Sequence, residues 1–144
     1  MSHHETGQVL AFFALVLPVL LLPVAAYTVD ATVVASREAG LQAATAQAAE
    51  TGAQQLNVSA IRSTAAITLD APAASRVVAQ TLMDQEPAAR VDAYTIAGTE
   101  VSLVTSEPVT LPFSLFTQVV TLRARATARL VAGYDSPSRS GSPP

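Results

Sequence analysis

The strongest pattern in the chain is an uninterrupted apolar run near its N-terminus. Residues 9–29 read VLAFFALVLPVLLLPVAAYTV, and no charged residue falls between Glu5 and Asp30. A helix needs about 20 apolar residues to cross the hydrocarbon core of a bilayer, so we predict a membrane-spanning helix here. Pro18 and Pro23 lie inside the run, which membrane helices tolerate where neighbouring groups satisfy the freed carbonyls.

Beyond Asp30 the chain becomes rich in alanine and glutamine, both good helix formers, and has no proline before Pro72. We therefore predict that the helix continues to about Leu56. The predicted transmembrane and stem helix, residues 8–56, is a rod of roughly 70 Å at 1.5 Å per residue.

Small residues recur every four positions on this helix, a spacing that permits close helix–helix approach. One set, the 35–43 stripe, consists of Ala35, Ala39 and Ala43. The other set, the 44–52 stripe, consists of Ala44, Ala48 and Gly52. Both are candidate packing positions, either within this chain or against the helices of other subunits.

Residues 57–133 carry the pattern of a small α+β domain. Loose apolar alternation over residues 61–69 favours a strand. Asp70 followed by Pro72 is typical of a helix start, and that short helix should extend to about Gln85.

The remaining segments alternate like antiparallel strands. Residues 90–97 and 100–106 flank Gly98, which suits the first position of a type II′ hairpin turn. Over residues 120–130, apolar side chains alternate with threonine and arginine, so one face is apolar and the other cationic. The cationic row consists of Arg123, Arg125 and Arg129.

These patterns predict an α+β fold, in which a sheet of three to four antiparallel strands packs on the long helix and on one short helix. Residues 134–144 are rich in serine, proline and glycine, and we predict that they form a disordered tail.

Composition narrows the function classes. The net charge of −3 argues against a nucleic-acid binder, which needs a basic surface. The chain has no cysteine, its only histidines are His3 and His4, and it lacks a glycine-rich phosphate loop or a metal-ligand spacing. We predict neither an enzyme nor a protein that binds a cofactor or metal.

The run from Gly7-Gln8 to Pro18, GQVLAFFALVLP, resembles the N-terminus of TadE/TadG-like proteins of the tight-adherence (Flp) pilus system. Val29-Asp30 and the segment LQAATAQAA at residues 41–49 are similar to the family as well. The resemblance covers the first third of the chain and is fainter over the C-terminal strands. It implies a cytosolic leader, residues 1–7, which a prepilin peptidase removes after Gly7 so that Gln8 becomes the first mature residue.

Phe12 occupies the fifth mature position, where the resemblance implies a glutamate that neutralises the free N-terminus of a neighbouring pilin. A buried amine without a counter-charge is costly, so this departure favours a TadG-like minor pilin or pilus-assembly component over a major pilin.

The implied protein is pilin-like and single-pass in the cytoplasmic membrane, with its N-terminus inside and its C-terminal domain outside. Its implied partners are membrane lipid, the prepilin peptidase, and other pilin-like or assembly subunits that its N-terminal helix contacts.

An alternative interpretation is a secreted or membrane-anchored binding module. Val24-Ala25-Ala26 has small residues where a signal peptidase requires them, and cleavage there would start the mature chain at Tyr27. The cationic row would then contact an acidic ligand or lipid head groups. A plainer interpretation of the row is the solvated face of an antiparallel strand.

Overall fold

The computed structural model describes residues 3–64, 67–113 and 118–130, with side chains from Val9 onward. Within these ranges three helices precede three strands, in the order α1 (His3–Ala53), α2 (Val58–Thr64), α3 (Ala71–Gln85), β1 (Arg90–Ala97), β2 (Glu100–Thr110) and β3 (Val119–Arg129). The predicted tail, residues 134–144, lies outside the described residues. The arrangement confirms an α+β fold with a long N-terminal helix and a small antiparallel sheet.

The long helix α1 is continuous over 51 residues and contains both Pro18 and Pro23. It ends at Ala53, slightly before the predicted Leu56. The helix ends there because the chain turns to meet the segment that leads into α3: the backbone N–H of Asp70 donates to the carbonyl of Gln55 at 2.8 Å.

The expected strand at residues 61–69 is wrong, because α2 occupies the first four of these residues. Asn57 starts that helix, and its Oδ1 accepts a hydrogen bond from the backbone N–H of Ala60 at 2.9 Å, as an N-cap residue does. Strand pairing in this part of the described chain is limited to an isolated bridge between Leu56 and Leu69. The N-cap at Asn57 therefore favoured a helix over the strand that the loose apolar alternation predicted.

The helix α3 begins as predicted. Asp70 is its N-cap, accepts a hydrogen bond from the backbone N–H of Ala73 at 3.0 Å, and is followed by Pro72 in the first turn. The buried face of α3 consists of Ala74, Val78 and Leu82.

The sheet is an antiparallel meander in the order β1-β2-β3. Gly98, between β1 and β2, has φ +63°, as a glycine-first hairpin turn requires. β2 is longer than predicted and runs through Pro108, which lies opposite Thr121. Proline is tolerated there because the pairing with β1 extends no further than Ser106, so that one side of β2 is an edge beyond that residue.

The C-terminal half of α1 is the central support of the domain. Leu41 shares a core cluster with Val109, Ala48 shares one with Leu103, and Ala53 shares one with Val101. Since the numbers rise along α1 while they fall along β2, the helix runs antiparallel to that strand. We use "head" for α1 from Asp30 onward together with all of the elements that follow.

Helix α3 packs closely against α1 at Gly52. A Cβ added to Gly52 would lie 2.7 Å from Cγ2 of Val78, well inside van der Waals contact. Valine in a helix has one strongly preferred rotamer, so its methyl group cannot readily move away. The glycine therefore permits a close approach that alanine would not.

Replacing Gly52 by alanine should lower the free energy of unfolding by about 1–2 kcal/mol, because overpacking outweighs the gain of up to about 1 kcal/mol in helix propensity. Gly40→Ala is the matched control. Its Cβ would meet only Oε1 of Glu86, at 2.7 Å, which is the end of a flexible side chain, so it should be neutral or stabilising. Thermal unfolding of the full chain in detergent micelles measures both. A Gly52→Ala variant as stable as Gly40→Ala would contradict the packing of α3 on α1.

Candidate functional site

The apolar half of α1 is the most unusual surface of the molecule. One helix near the N-terminus is long and apolar enough to cross a membrane, and only 6% of its most apolar 18-residue window is buried. Leu10 and Leu15 are both 73% exposed. A core helix of a soluble domain would bury such side chains, so this half of the helix has no apolar partner within the described part of the chain.

The predicted processing residues, Gly7 and Gln8, lie in the backbone of α1, which is helical from His3 onward. Their side chains are outside the described set, and cleavage between them stays a prediction. Phe12, at the position of the family glutamate, is 62% exposed, and its ring packs edge-on against Phe13 with 6.1 Å between the ring centroids.

The structure separates the two small-residue stripes. The 44–52 stripe is buried inside the head: Ala44 and Ala48 belong to the cluster that includes Val78 of α3 and Leu103 of β2. The 35–43 stripe is exposed on the opposite side of the helix. The 44–52 stripe therefore packs within the chain, whereas the 35–43 stripe remains available to another molecule.

Polar contacts attach α1 to the other elements of the head at several positions along the helix. Near the end of the apolar run, Oδ1 of the buried Asp30 accepts a hydrogen bond from the backbone N–H of Phe113 at 3.1 Å. Further along, the buried hydroxyls of Thr45 and Thr105 share a hydrogen bond of 2.6 Å. Sequence reasoning used Asp30 as the first charge after the apolar run and as part of the Val29-Asp30 pair. It did not predict this contact, since nothing local indicates a partner 83 positions away.

A charged cluster lies where α1, the end of α3 and β2 meet. Nη1 of Arg37 is 3.9 Å from Oε2 of Glu86 and 3.9 Å from Oε1 of Glu107. The Arg37 side chain is 55% exposed, whereas that of Glu107 is only 4% exposed. Ion pairs of this length and exposure contribute little, so Arg37 compensates the buried Glu107 carboxylate only in part.

Burial raises the pKa of Glu107, the nearby carboxylate of Glu86 raises it further, and Arg37 opposes both effects. Oε2 of Glu107 has no hydrogen-bond partner among the described residues. The alternation in β2 places Glu107 on the inner face with Thr105 and Val109. Sequence reasoning missed this residue because it ended the strand before Pro108.

The cationic row lies where it was predicted. Arg123, Arg125 and Arg129 are exposed, while the alternating Leu122 and Ala124 are buried. In register, the three arginines lie opposite Ser106, Val104 and Glu100 of β2. Within the described ranges, none of the three forms an ion pair.

The described residues contain no group of three histidine, cysteine or acidic side chains placed to hold a metal ion. No model of a protein family matches the chain, and no curated protein or solved structure matches it either. The functional argument therefore depends on the geometry and on the sequence pattern.

The pH dependence of stability tests the burial of Glu107. The pKa of this group is higher in the folded state than the ordinary value of 4.5, so the folded protein binds the proton more tightly. This contribution to stability is complete below pH 4.5 and is lost as the pH rises through the folded-state pKa. Glu107→Gln removes the titration, so its stability relative to the wild-type chain should increase between pH 4.5 and neutral pH.

Unfolding of the full chain in detergent at several pH values gives this slope, which includes the attraction between Arg37 and the ionised carboxylate. Glu100→Gln, at the exposed start of β2, removes the same charge from the same strand and is the matched control. Parallel curves for Glu107→Gln and the wild-type chain would contradict the burial of this carboxylate.

Proposed function

We propose that this chain is a membrane-anchored subunit of a pilus-type assembly of the tight-adherence kind, either a minor pilin or an assembly component. The observation that carries the proposal is the continuity of α1. Its N-terminal half exposes apolar side chains, and its C-terminal half supports the head, with no linker between the two. The sequence resemblance to TadE/TadG-like proteins points to the same class.

A helix that is apolar all round needs an apolar surrounding, which is either lipid or other helices of the same kind. Lipid tails and neighbouring apolar helices are nearly equivalent partners, so such a helix can exchange one for the other at low cost. This property suits a subunit that is first held in a bilayer and later joins an assembly through its helix. The proposal places the chain in the cytoplasmic membrane as a single-pass protein, with residues 1–7 inside and the head outside.

The exposed 35–43 stripe is the proposed contact for other subunits. Its three alanines lie just beyond the apolar run and face away from the sheet. Phe12 offers no carboxylate to a neighbour's N-terminal amine, which favours a minor position in the assembly. Prepilin-type processing after Gly7 is part of the proposal.

The mature N-terminus tests the anchoring and the processing together. Mass spectrometry of the membrane fraction should find a chain that starts at Gln8. A chain that starts at Tyr27 in the extracellular fraction would contradict the proposal, because the membrane half of α1 would then be lost. An intact N-terminus in the membrane fraction would support the membrane anchor and contradict processing after Gly7.

A second candidate function is a binding module that uses the cationic row. It is favoured by the exposure of the three arginines and by their lack of ion pairs with described residues. The partner would be an acidic ligand. The two functions assign the contact to opposite sides of the head.

A pair of variants separates these two contact surfaces. Ala39→Leu should weaken association between subunits by roughly 5- to 150-fold, since the larger side chain in a small-residue interface costs about 1–3 kcal/mol. The triple change of Arg123, Arg125 and Arg129 to glutamine should leave association unchanged. Cross-linking of the full chain in membranes measures both. Ala97→Leu, an exposed substitution on β1, is the matched control. Loss of association in the triple variant, with Ala39→Leu unaffected, would contradict the 35–43 stripe as the contact between subunits.

A further inference from the structure

The head touches the anchor helix at the level where the apolar run ends. Asp30 is the first charged residue after that run, yet it is only 6% exposed. Its carboxylate accepts the hydrogen bond from the backbone N–H of Phe113, which lies just beyond the end of β2. Phe113 is therefore held beside Asp30, at the C-terminal end of the apolar run.

Burial on α1 extends below Asp30. Ala26, one turn earlier on the same face, is only 9% exposed, whereas its neighbours Tyr27 and Val29 are 62% and 45% exposed. One helical turn corresponds to about 5–6 Å along the axis. The buried face of α1 thus extends one turn into the apolar run.

The end of the head that faces the span is apolar and exposed. Phe113 is 55% exposed and Val119, at the start of β3, is 48% exposed. The backbone N–H of Leu111 donates to the carbonyl of Gln118 at 3.1 Å, which joins the two sides of this hairpin end. We call Phe113, Val119 and Tyr27, which precedes Asp30 by three residues on α1, the membrane-side patch.

We propose that the membrane-side patch is a second contact with the bilayer, in which Phe113, Val119 and Tyr27 lie in the interfacial region beside the anchor helix. The inference assumes the membrane anchoring described under the proposed function. Continuity favours lipid as the occupant, because the backbone of Phe113 is bonded to Asp30 at the end of the apolar run. Tyr27 suits this depth, since its ring is apolar and its hydroxyl is polar, and Phe113 adds an apolar ring.

The buried Asp30 satisfies the backbone at this contact. An unpaired N–H group is unfavourable in an apolar environment, and the Asp30 carboxylate accepts the hydrogen bond from that of Phe113. The carboxylate is itself shielded from solvent by the head. Two contacts with the bilayer, the helix and the patch, would fix the tilt of the head on the membrane surface.

The opposite end of the sheet would then point away from the membrane. β2 runs from Glu100 to Thr110, so its two ends are about 33 Å apart at 3.3 Å per residue. Ala97 pairs with Glu100 at the far end and is exposed. It provides a matched position at which a probe should not meet lipid.

Single-cysteine labelling tests the inference, since the chain has no cysteine of its own. We would label Phe113→Cys, Val119→Cys, Ala97→Cys and Leu15→Cys with the fluorophore NBD and reconstitute the full chain into vesicles of phosphatidylcholine and phosphatidylglycerol. Nitroxide-bearing lipids at shallow and deep acyl positions then report the depth of each label. The Val119 variant retains Phe113, and the Leu15 variant reports the anchor.

We expect the labels at positions 113 and 119 to be blue-shifted and to lose at least half of their fluorescence to the shallow nitroxide. The label at position 97 should change little, and the label at position 15 should be quenched by the deep nitroxide. Quenching at position 15 with labels at 113 and 119 that behave like the label at 97 would overturn the inference and leave the anchor intact. Absence of quenching at 15, 113 and 119 would overturn both proposals.

A second copy of the chain is the competing occupant of the patch. In that case the labels at positions 113 and 119 would be blue-shifted without nitroxide quenching, and the shift would disappear as the chain is diluted in excess lipid. That outcome would also overturn the assignment of the patch to lipid.

Discussion

The head depends on the close approach of α1 to its neighbours. Ala44, Ala48 and Gly52 leave room for α3 and the sheet to lie directly against the helix, and the 2.7 Å distance from the Cβ position of Gly52 to Val78 shows how little room remains. Small side chains bury little apolar area each, so the contact relies on many of them in register. The buried hydrogen bond between Thr45 and Thr105 adds a directional contact that apolar packing alone lacks.

The same helix must satisfy two environments. As far as Val29 it exposes apolar side chains, and from Asp30 it presents one small-residue face to the head and another to the outside. Because no flexible linker separates the halves, the orientation of the head follows the orientation of the helix. A rotation of the N-terminal half of α1 is therefore transmitted directly to the head.

The charged cluster around Arg37 contributes little to stability. Surface-exposed arginine paired at 3.9 Å gains little, and the buried carboxylate of Glu107 is costly. A shift of β2 by one residue would turn Glu107 outward and relieve that cost, because strand side chains alternate between faces. The same shift would also turn the buried Leu103 and Thr105 outward, so the inner face of β2, and not the charged cluster, fixes the observed register.

Local patterns in the sequence determined most of the elements. The apolar run predicted the exposed half of α1, the cap formed by Asp70 predicted α3, and the alternation around Arg123 predicted the two faces of β3. Each of these signals depends on residues within a few positions of one another. The loose alternation at residues 61–69 led to a wrong prediction of a strand, since the competing signal for a helix was a single cap residue, Asn57.

Only the tertiary structure decided which surfaces remain free and which distant groups meet. The two small-residue stripes look alike in sequence. The 44–52 stripe is covered by α3 and β2, whereas the 35–43 stripe is exposed, because no described element packs on it. Similarly, Asp30 meets Phe113, and Glu107 meets Arg37, through contacts between elements far apart in the chain. No local spacing encodes such pairs, since they arise only when the sheet lies along the helix.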